Sequence, residues 1–247
     1  MCRLFGYVGA PVSLRALLYD PPHSLERQAH KPRHQLPGRI NADGWGVAWY
    51  DGRAAEVPAR YRTARAMWAD ESFRGIAEHI HSGHVIAAVR NASPGAPVED
   101  SGASPFSADT YAFSHNGYVE GFRGELGVRL RRELSVPRAL GVTGGADSEV
   151  VFAMVLDRLD HGAPMADALV AVLEQLLEEA GGKFNFLLSD GREMVATRSQ
   201  NSLFTLDRGE GSRIIASEPF DDTADWVEVP ERSLVTMTAT SLKVEPF

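Results

Sequence analysis

The residue with the most chemistry to offer is the chain's lone cysteine, and it stands at position 2. A single cysteine forms neither an internal disulfide nor a thiolate metal cluster. In a first strand it would serve simply as a small buried hydrophobe. Position 2 opens a second use. A small second residue permits removal of the initiator Met1, and removal leaves a thiol and a free α-amine on one residue. An α-amine titrates near pH ~8, so much of it is neutral at physiological pH. It can then act as general base for its own thiol, directly or through a water, and no catalytic histidine is required.

Four further segments have types and spacing that suit chemistry. Arg90-Asn91-Ala92-Ser93 follows a five-residue apolar run, so Arg90 is either a solvent-facing strand end or a guanidinium fork for a substrate carboxylate. Ser114-His115-Asn116-Gly117 contains Asn-Gly, a strong hairpin signal. Alternatively, the Asn116 amide and the Gly117 backbone N–H form an oxyanion hole, in which one donor is typically worth about 10²–10³ in rate. In Gly145-Ala146-Asp147-Ser148-Glu149, Asp147 or Ser148 caps the next helix, or the Asp147 carboxylate holds a substrate ammonium. Asn41-Ala42-Asp43-Gly44-Trp45-Gly46 is a glycine-rich turn or a tight backbone passage beside a ligand.

Each segment alone is ambiguous. Together they supply a nucleophile with its base, oxyanion donors, a carboxylate clamp and an ammonium clamp. That set suits hydrolysis of the side-chain amide of a glutamyl group. No metal and no cofactor are expected: Pro32 separates His30 from His34, His79 and His81 fall on different helix faces, and no zinc-type spacing occurs.

Composition narrows the partners. The 247 residues are 44% hydrophobic and 23% charged, with a formal charge of −8 and no cluster of Lys or Arg. Nucleic acid and anionic membrane surfaces are therefore not expected as partners. No apolar run approaches the roughly 18 residues of a spanning helix. The N-terminus lacks a signal peptide's charged and apolar regions, which points to the cytoplasm. Oligomeric state is left open, a homo-oligomer included.

The elements that must hold these residues read as follows. Residues 2–9 alternate apolar groups on both faces, Leu4 and Val8 against Phe5 and Tyr7, as in a strand covered on both sides. Helices are expected over 13–19, 70–81, 121–134, 150–159 and 164–180, the last closed by Gly181-Gly182. Strands are expected over 47–50, 85–89, 111–115 (stopped by Asn116-Gly117), 184–189, 193–198, 203–207, 213–217, 233–238 and 241–245, with loops over 30–44 and 91–108. Two adjacent helices followed by hairpin-linked strands argue for an α+β chain of two packed antiparallel sheets with helices outside. No repeat or linker interrupts it, so a single domain over 1–247 is expected.

Six motifs occur in an order that resembles the class II glutamine amidotransferases: Met1-Cys2-Arg3-Leu4-Phe5-Gly6, Asp43-Gly44-Trp45-Gly46, Arg90-Asn91-Ala92-Ser93, Ser104-Pro105-Phe106, His115-Asn116-Gly117 and Ala146-Asp147-Ser148-Glu149. The resemblance implies the four-layer αββα fold of N-terminal nucleophile hydrolases. It implies Cys2 as nucleophile, Asn116 and Gly117 as oxyanion hole, Arg90 with the Ser93 region on the α-carboxylate, and Asp147 on the α-ammonium. One departure is Asn91, where relatives often carry Trp, and it is expected to reshape the leaving-group side of the pocket.

Asp20-Pro21-Pro22-His23, Asn41 to Val47, and Ala216-Ser217-Glu218-Pro219-Phe220-Asp221-Asp222 resemble a narrower group, the amidohydrolases of γ-glutamyl-hercynylcysteine S-oxide in ergothioneine biosynthesis. That resemblance implies a small γ-glutamyl substrate cut to glutamate and hercynylcysteine S-oxide. The glutaminase-type region fills the length, so water is the expected acceptor. Two alternatives stand beside this: a glutaminase subunit passing ammonia to a separate synthase, and a binding protein that kept the fold without catalysis.

Overall fold

The computed structural model describes residues 2–34, 40–52, 57–93, 95–209 and 211–247. Met1, whose removal the chemistry requires, Pro94 and part of the 30–44 loop lie outside the described residues. In the first half the elements are β1 (Arg3–Ser13), α1 (Leu14–Leu18), α2 (Leu25–His30), β2 (Trp45–Trp49), β3 (Ala59–Thr63), α3 (Glu71–Ile76), β4 (His81–Val89), β5 (Phe106–Ala108) and β6 (Tyr111–Val119). Then come α4 (Glu125–Glu133), α5 (Val136–Gly141), α6 (Asp147–Asp160) and α7 (Met165–Glu179). The remaining strands are β7 (Gly182–Ser189), β8 (Met194–Arg198), β9 (Phe204–Asp207), β10 (Arg213–Ala216), β11 (Val227–Glu228), β12 (Ser233–Met237) and β13 (Leu242–Pro246).

These strands form two antiparallel sheets, ordered β11-β9-β10-β1-β4-β2-β3 and β13-β12-β8-β7-β6-β5. Three apolar cores account for the layering. Leu4, Val8, Ile86, Leu187, Met194 and Ile215 fill the space between the sheets. Phe5, Tyr7 and Val47 pack outward against Leu14, Leu18 and Leu25 of α1 and α2. Phe113, Phe186 and Val195 pack outward against Val151, Val155, Leu169 and Leu173 of α6 and α7. The expected αββα sandwich is the observed one. The alternation in β1 sends Leu4 and Val8 inward and Phe5 and Tyr7 outward, as its period of two requires.

Several boundaries differ from expectation for identifiable reasons. The 70–81 helix stops at Ile76, because pairing of His81 and Ser82 with Ser13 and Val12 draws that segment into β4. The 121–134 helix starts only at Glu125, since Gly121 holds φ +73, outside helical space. Asn116-Gly117 is not a turn. β6 runs through it to Val119, pairing Asn116 with Asn185 and Gly117 with Phe184. Glycine is required there because a Cβ on Gly117 would sit 1.7 Å from the Lys183 carbonyl oxygen. The short elements α2, β3 and α5 carry too few residues to show a period, and sequence pattern misses them.

Candidate active site

Strand pairing brings the first site residues together. β1 and β4 run antiparallel with Arg3 opposite Val89, so the next step of that register sets Cys2 opposite Arg90. Gly44, just before β2, accepts from the Arg90 backbone N–H at 2.8 Å, which fixes where the arginine leaves the sheet. The other sheet contributes the end of β6, and α6 contributes its first turn. Between them lies a cavity of about 390 Å³ lined by Cys2, Arg90, Ser93, Gly117 and Asp147, among others. Five of the six expected site residues therefore share one cavity wall.

The sixth, Asn116, is fully buried and does not line the cavity. Its Nδ2 donates to Ser217 Oγ at 3.0 Å, and the same oxygen accepts from the Leu4 backbone N–H at 3.0 Å. The amide is thus tied to the start of β1, two residues from the cysteine. A primary amide carries two N–H bonds, and Ser217 takes one of them.

Cys2 is half-buried, with Sγ 4.0 Å from the Asn91 carbonyl oxygen. Arg90 is 8% exposed. Its guanidinium donates to the Pro97 carbonyl at 3.2 Å from both terminal nitrogens and to the Asp43 carbonyl at 3.4 Å. Gly102 lies flat against it, where a Cβ would come within 2.9 Å of Cζ. Among the described residues Arg90 has no carboxylate partner. A buried cation held only by carbonyl dipoles is a ready site for a carboxylate.

Asp147 opens α6. Its Oδ2 accepts from the Val119 N–H at 2.8 Å and its Oδ1 from the Ser148 N–H at 2.7 Å, so strand end and helix start aim it together. Glu149, in the same first turn, accepts from the Thr143 and Gly144 N–H groups at 2.9 and 2.7 Å and pins the loop leading to Asp147.

His115 is fully engaged. Its Nε2 donates to the Lys183 carbonyl at 2.8 Å, which leaves Nδ1 to accept from Ser148 Oγ at 3.0 Å. Burial lowers its pKa and outweighs the opposing pull of Asp147. A neutral ring with both nitrogens used is a brace between β6 and α6, not a base.

Sequence reasoning missed part of the far wall: Glu120, Phe122 and Arg123. Continued alternation past Gly117 was the only available signal, and the hairpin reading masked it. A cationic leaving group could rest on an aromatic face, and of Trp45, Trp49, Trp68 and Tyr118 it is Tyr118 that lines the cavity. Trp45 is buried among Tyr19, Tyr61 and Phe73, Trp49 packs on the outer core, and Trp68 rests against His30. A second network also escaped notice. Glu218, fully buried, accepts from Arg3 at 3.1 Å, His23 at 2.9 Å and the backbone N–H groups of Arg33 and His34 at 2.7 and 3.2 Å. It joins two of the narrower motifs to the residue after Cys2.

Among the described residues no three His, Cys, Asp or Glu side chains are grouped to hold a metal ion. No helix among them is long and apolar enough to cross a membrane.

This arrangement has counterparts. Over 247 residues the chain is 36% identical to a γ-glutamyl-hercynylcysteine sulfoxide hydrolase of Mycolicibacterium smegmatis, covering 100% of both chains. A protein of that name from Mycobacterium tuberculosis is 34% identical, over 96% of this chain and 93% of the relative. A class-II glutamine aminotransferase domain protein from Silicibacter pomeroyi superposes with a TM-score of 0.70 at 26% identity, covering 100% of this chain and 99% of that one. The Bacillus subtilis glutamine phosphoribosylpyrophosphate amidotransferase, at 17% identity and a TM-score of 0.68 over 99% of this chain and 49% of that one, shares the fold. Residues 23–210 match the model of the class-II glutamine amidotransferases, and with the full-length likenesses this makes the chain a member of that family.

Proposed function

We propose that the protein hydrolyses γ-glutamyl-hercynylcysteine S-oxide to glutamate and hercynylcysteine S-oxide through a thioester on Cys2. The observation that carries the reading is one cavity holding a thiol, a buried guanidinium without a carboxylate partner among the described residues, and an aimed carboxylate. Opposite charges on one wall suit the α-carboxylate and α-ammonium of a glutamyl head, with the γ-carbonyl reaching the thiol. The names borne by the two mycobacterial relatives support the larger leaving group.

In this mechanism Arg90, with the Ser93 loop, takes the α-carboxylate and Asp147 takes the α-ammonium. The α-amine of Cys2, free once Met1 is removed, accepts the thiol proton as sulfur attacks the γ-carbonyl carbon. The free N–H of Asn116 and the Gly117 N–H donate to the oxyanion. Collapse breaks the C–N bond, and the protonated α-amine returns its proton to the departing amine. Water, deprotonated by the same amine, then attacks the thioester and releases glutamate and the thiol. The whole chain, 1–247, acts as one glutaminase-type domain in the cytoplasm, with water as final acceptor.

A product assay on γ-glutamyl-hercynylcysteine S-oxide tests this directly. The purified chain should release glutamate, its intact mass should lack Met1, and Cys2→Ala should lose turnover while keeping its melting temperature. Undiminished activity in Cys2→Ala, or an active preparation that retains Met1, would overturn the assignment.

A further inference from the structure

The glutamyl head accounts for Arg90 and Asp147 and leaves two further charged residues on the cavity wall unused: Glu120, whose carboxylate lies against Gly181, and Arg123. Arg123 sits in the turn between β6 and α4. Its guanidinium spans to the loop that follows Arg90: a Cβ built on Gly95 would lie 3.7 Å from Nη1. It also lines an adjoining recess of about 250 Å³, shared with Phe122, Gly124, Arg131 and Gly145. Among the described residues no acidic side chain lines that recess, and Arg131 in it lies over the Phe122 ring at 4.7 Å.

Arg123 makes no hydrogen bond or ion pair among the described residues. Arg60 and Arg132 are unpaired there too, but Arg123 is the one of the three that lines the cavity of Cys2. Other arginines have found acids: Arg74 pairs with Glu26, Arg138 with Asp109 and Asp160, Arg208 with Asp221. An unpaired guanidinium at the mouth of a cavity, facing a recess without acids, favours an anion. A substrate that released only ammonia would need neither the recess nor its charge. Cavity and recess together fall within the roughly 300–1,000 Å³ of sites for larger ligands.

We infer that Arg123 binds the carboxylate that an amino-acid leaving group carries on the carbon beside the scissile nitrogen. The substrate class is then γ-glutamyl amides of α-amino acids, with one carboxylate on Arg90 and a second on Arg123. This rests on the amidohydrolase reading above and sharpens it, because the cysteinyl part of the proposed substrate has that carboxylate. Arg123 is exposed, so its replacement does not disturb the core.

The test measures kcat/KM on two compounds: γ-glutamyl-hercynylcysteine S-oxide, and its analogue with the cysteinyl carboxyl converted to a carboxamide. A charge-assisted bond lost at this site corresponds to about a 10- to 100-fold preference of the wild type for the acid. In Arg123→Gln that ratio should collapse to within about twofold, and Arg123→Lys should restore part of it. A wild type that treats both compounds alike overturns the proposal, as does an Arg123→Gln variant that keeps the full ratio. A wild type that cleaves neither compound sinks the amidohydrolase reading, and this proposal falls with it.

Discussion

Two buried arginines flank Cys2, and they are bound in opposite ways. Arg3, 1% exposed, is paired with Glu218, itself fully buried and held by His23 and two backbone amides. Arg90, 8% exposed, has among the described residues only the carbonyls of Pro97 and Asp43. Burial alone would raise the pKa of Glu218. The hydrogen bond from His23, the charge of Arg3 and the two amides outweigh burial and hold it below the ordinary carboxylate range. One guanidinium is therefore neutralised within the fold, and the other is left for a carboxylate from outside. The paired arginine ties β1 to the 216–222 segment. The unpaired one keeps its Nε–H and one Nη2–H, a single edge of the fork, for a ligand.

The largest expected effect comes from breaking the satisfied side. Glu218→Ala leaves the Arg3 charge buried without a partner and removes the acceptor for the Arg33 and His34 amides. Breaking such a pair typically costs about 3–5 kcal/mol. For a chain of this size that is a fall of roughly 6–20 °C in melting temperature, measurable by calorimetry. A variant that melts with the wild type would show that the network is decoration.

Arg90→Gln should do the reverse. No acid is orphaned, so the melting temperature should move by only a few degrees. Loss of the charge-assisted clamp should lower kcat/KM on the γ-glutamyl substrate about 100-fold, equivalent to roughly 2.7 kcal/mol. If Arg90→Gln instead unfolds as Glu218→Ala does, the distinction between a structural and a receptive arginine fails.

The same contrast separates what was legible in the sequence from what was not. Arg90, Asp147 and Cys2 stand out because residue type, strand end and helix start are local signals. The inward and outward faces of β1 follow from its alternation. The Glu218 network has no local signal: its partners lie 215 and 195 residues away in Arg3 and His23, and only the folded register joins them. Asn116-Gly117 misled for a related reason. Its turn propensity is real, but pairing with β7 across a gap too small for a Cβ overrides it. Arg123 was placed on a helix that begins two residues later, so its reach toward the Arg90 loop could not be read.

The smallest expected effect distinguishes the two arginine sites from a third buried group, at the other end of the strand that precedes Arg90. His84 in β4 is enclosed by Ser82, Ser189 and the Tyr50 ring, and Asp190 lies near enough to oppose its shift. Burial lowers its pKa from 6.5 to about 4. The folded chain thus keeps it neutral where the unfolded chain would protonate it. Its contribution to stability is fully present above pH 6.5 and is lost as pH falls toward 4. The loss should reach about 2 kcal/mol at pH 5. Glu218, also depressed, gives up its contribution only as pH falls below its unfolded value of 4.5. Melting temperatures between pH 8 and pH 3 should therefore fall in two stages. His84→Gln should flatten the upper stage and leave the lower one, whereas Glu218→Gln should do the opposite. A two-stage fall that survives both substitutions would show that neither His84 nor Glu218 sets the acid sensitivity.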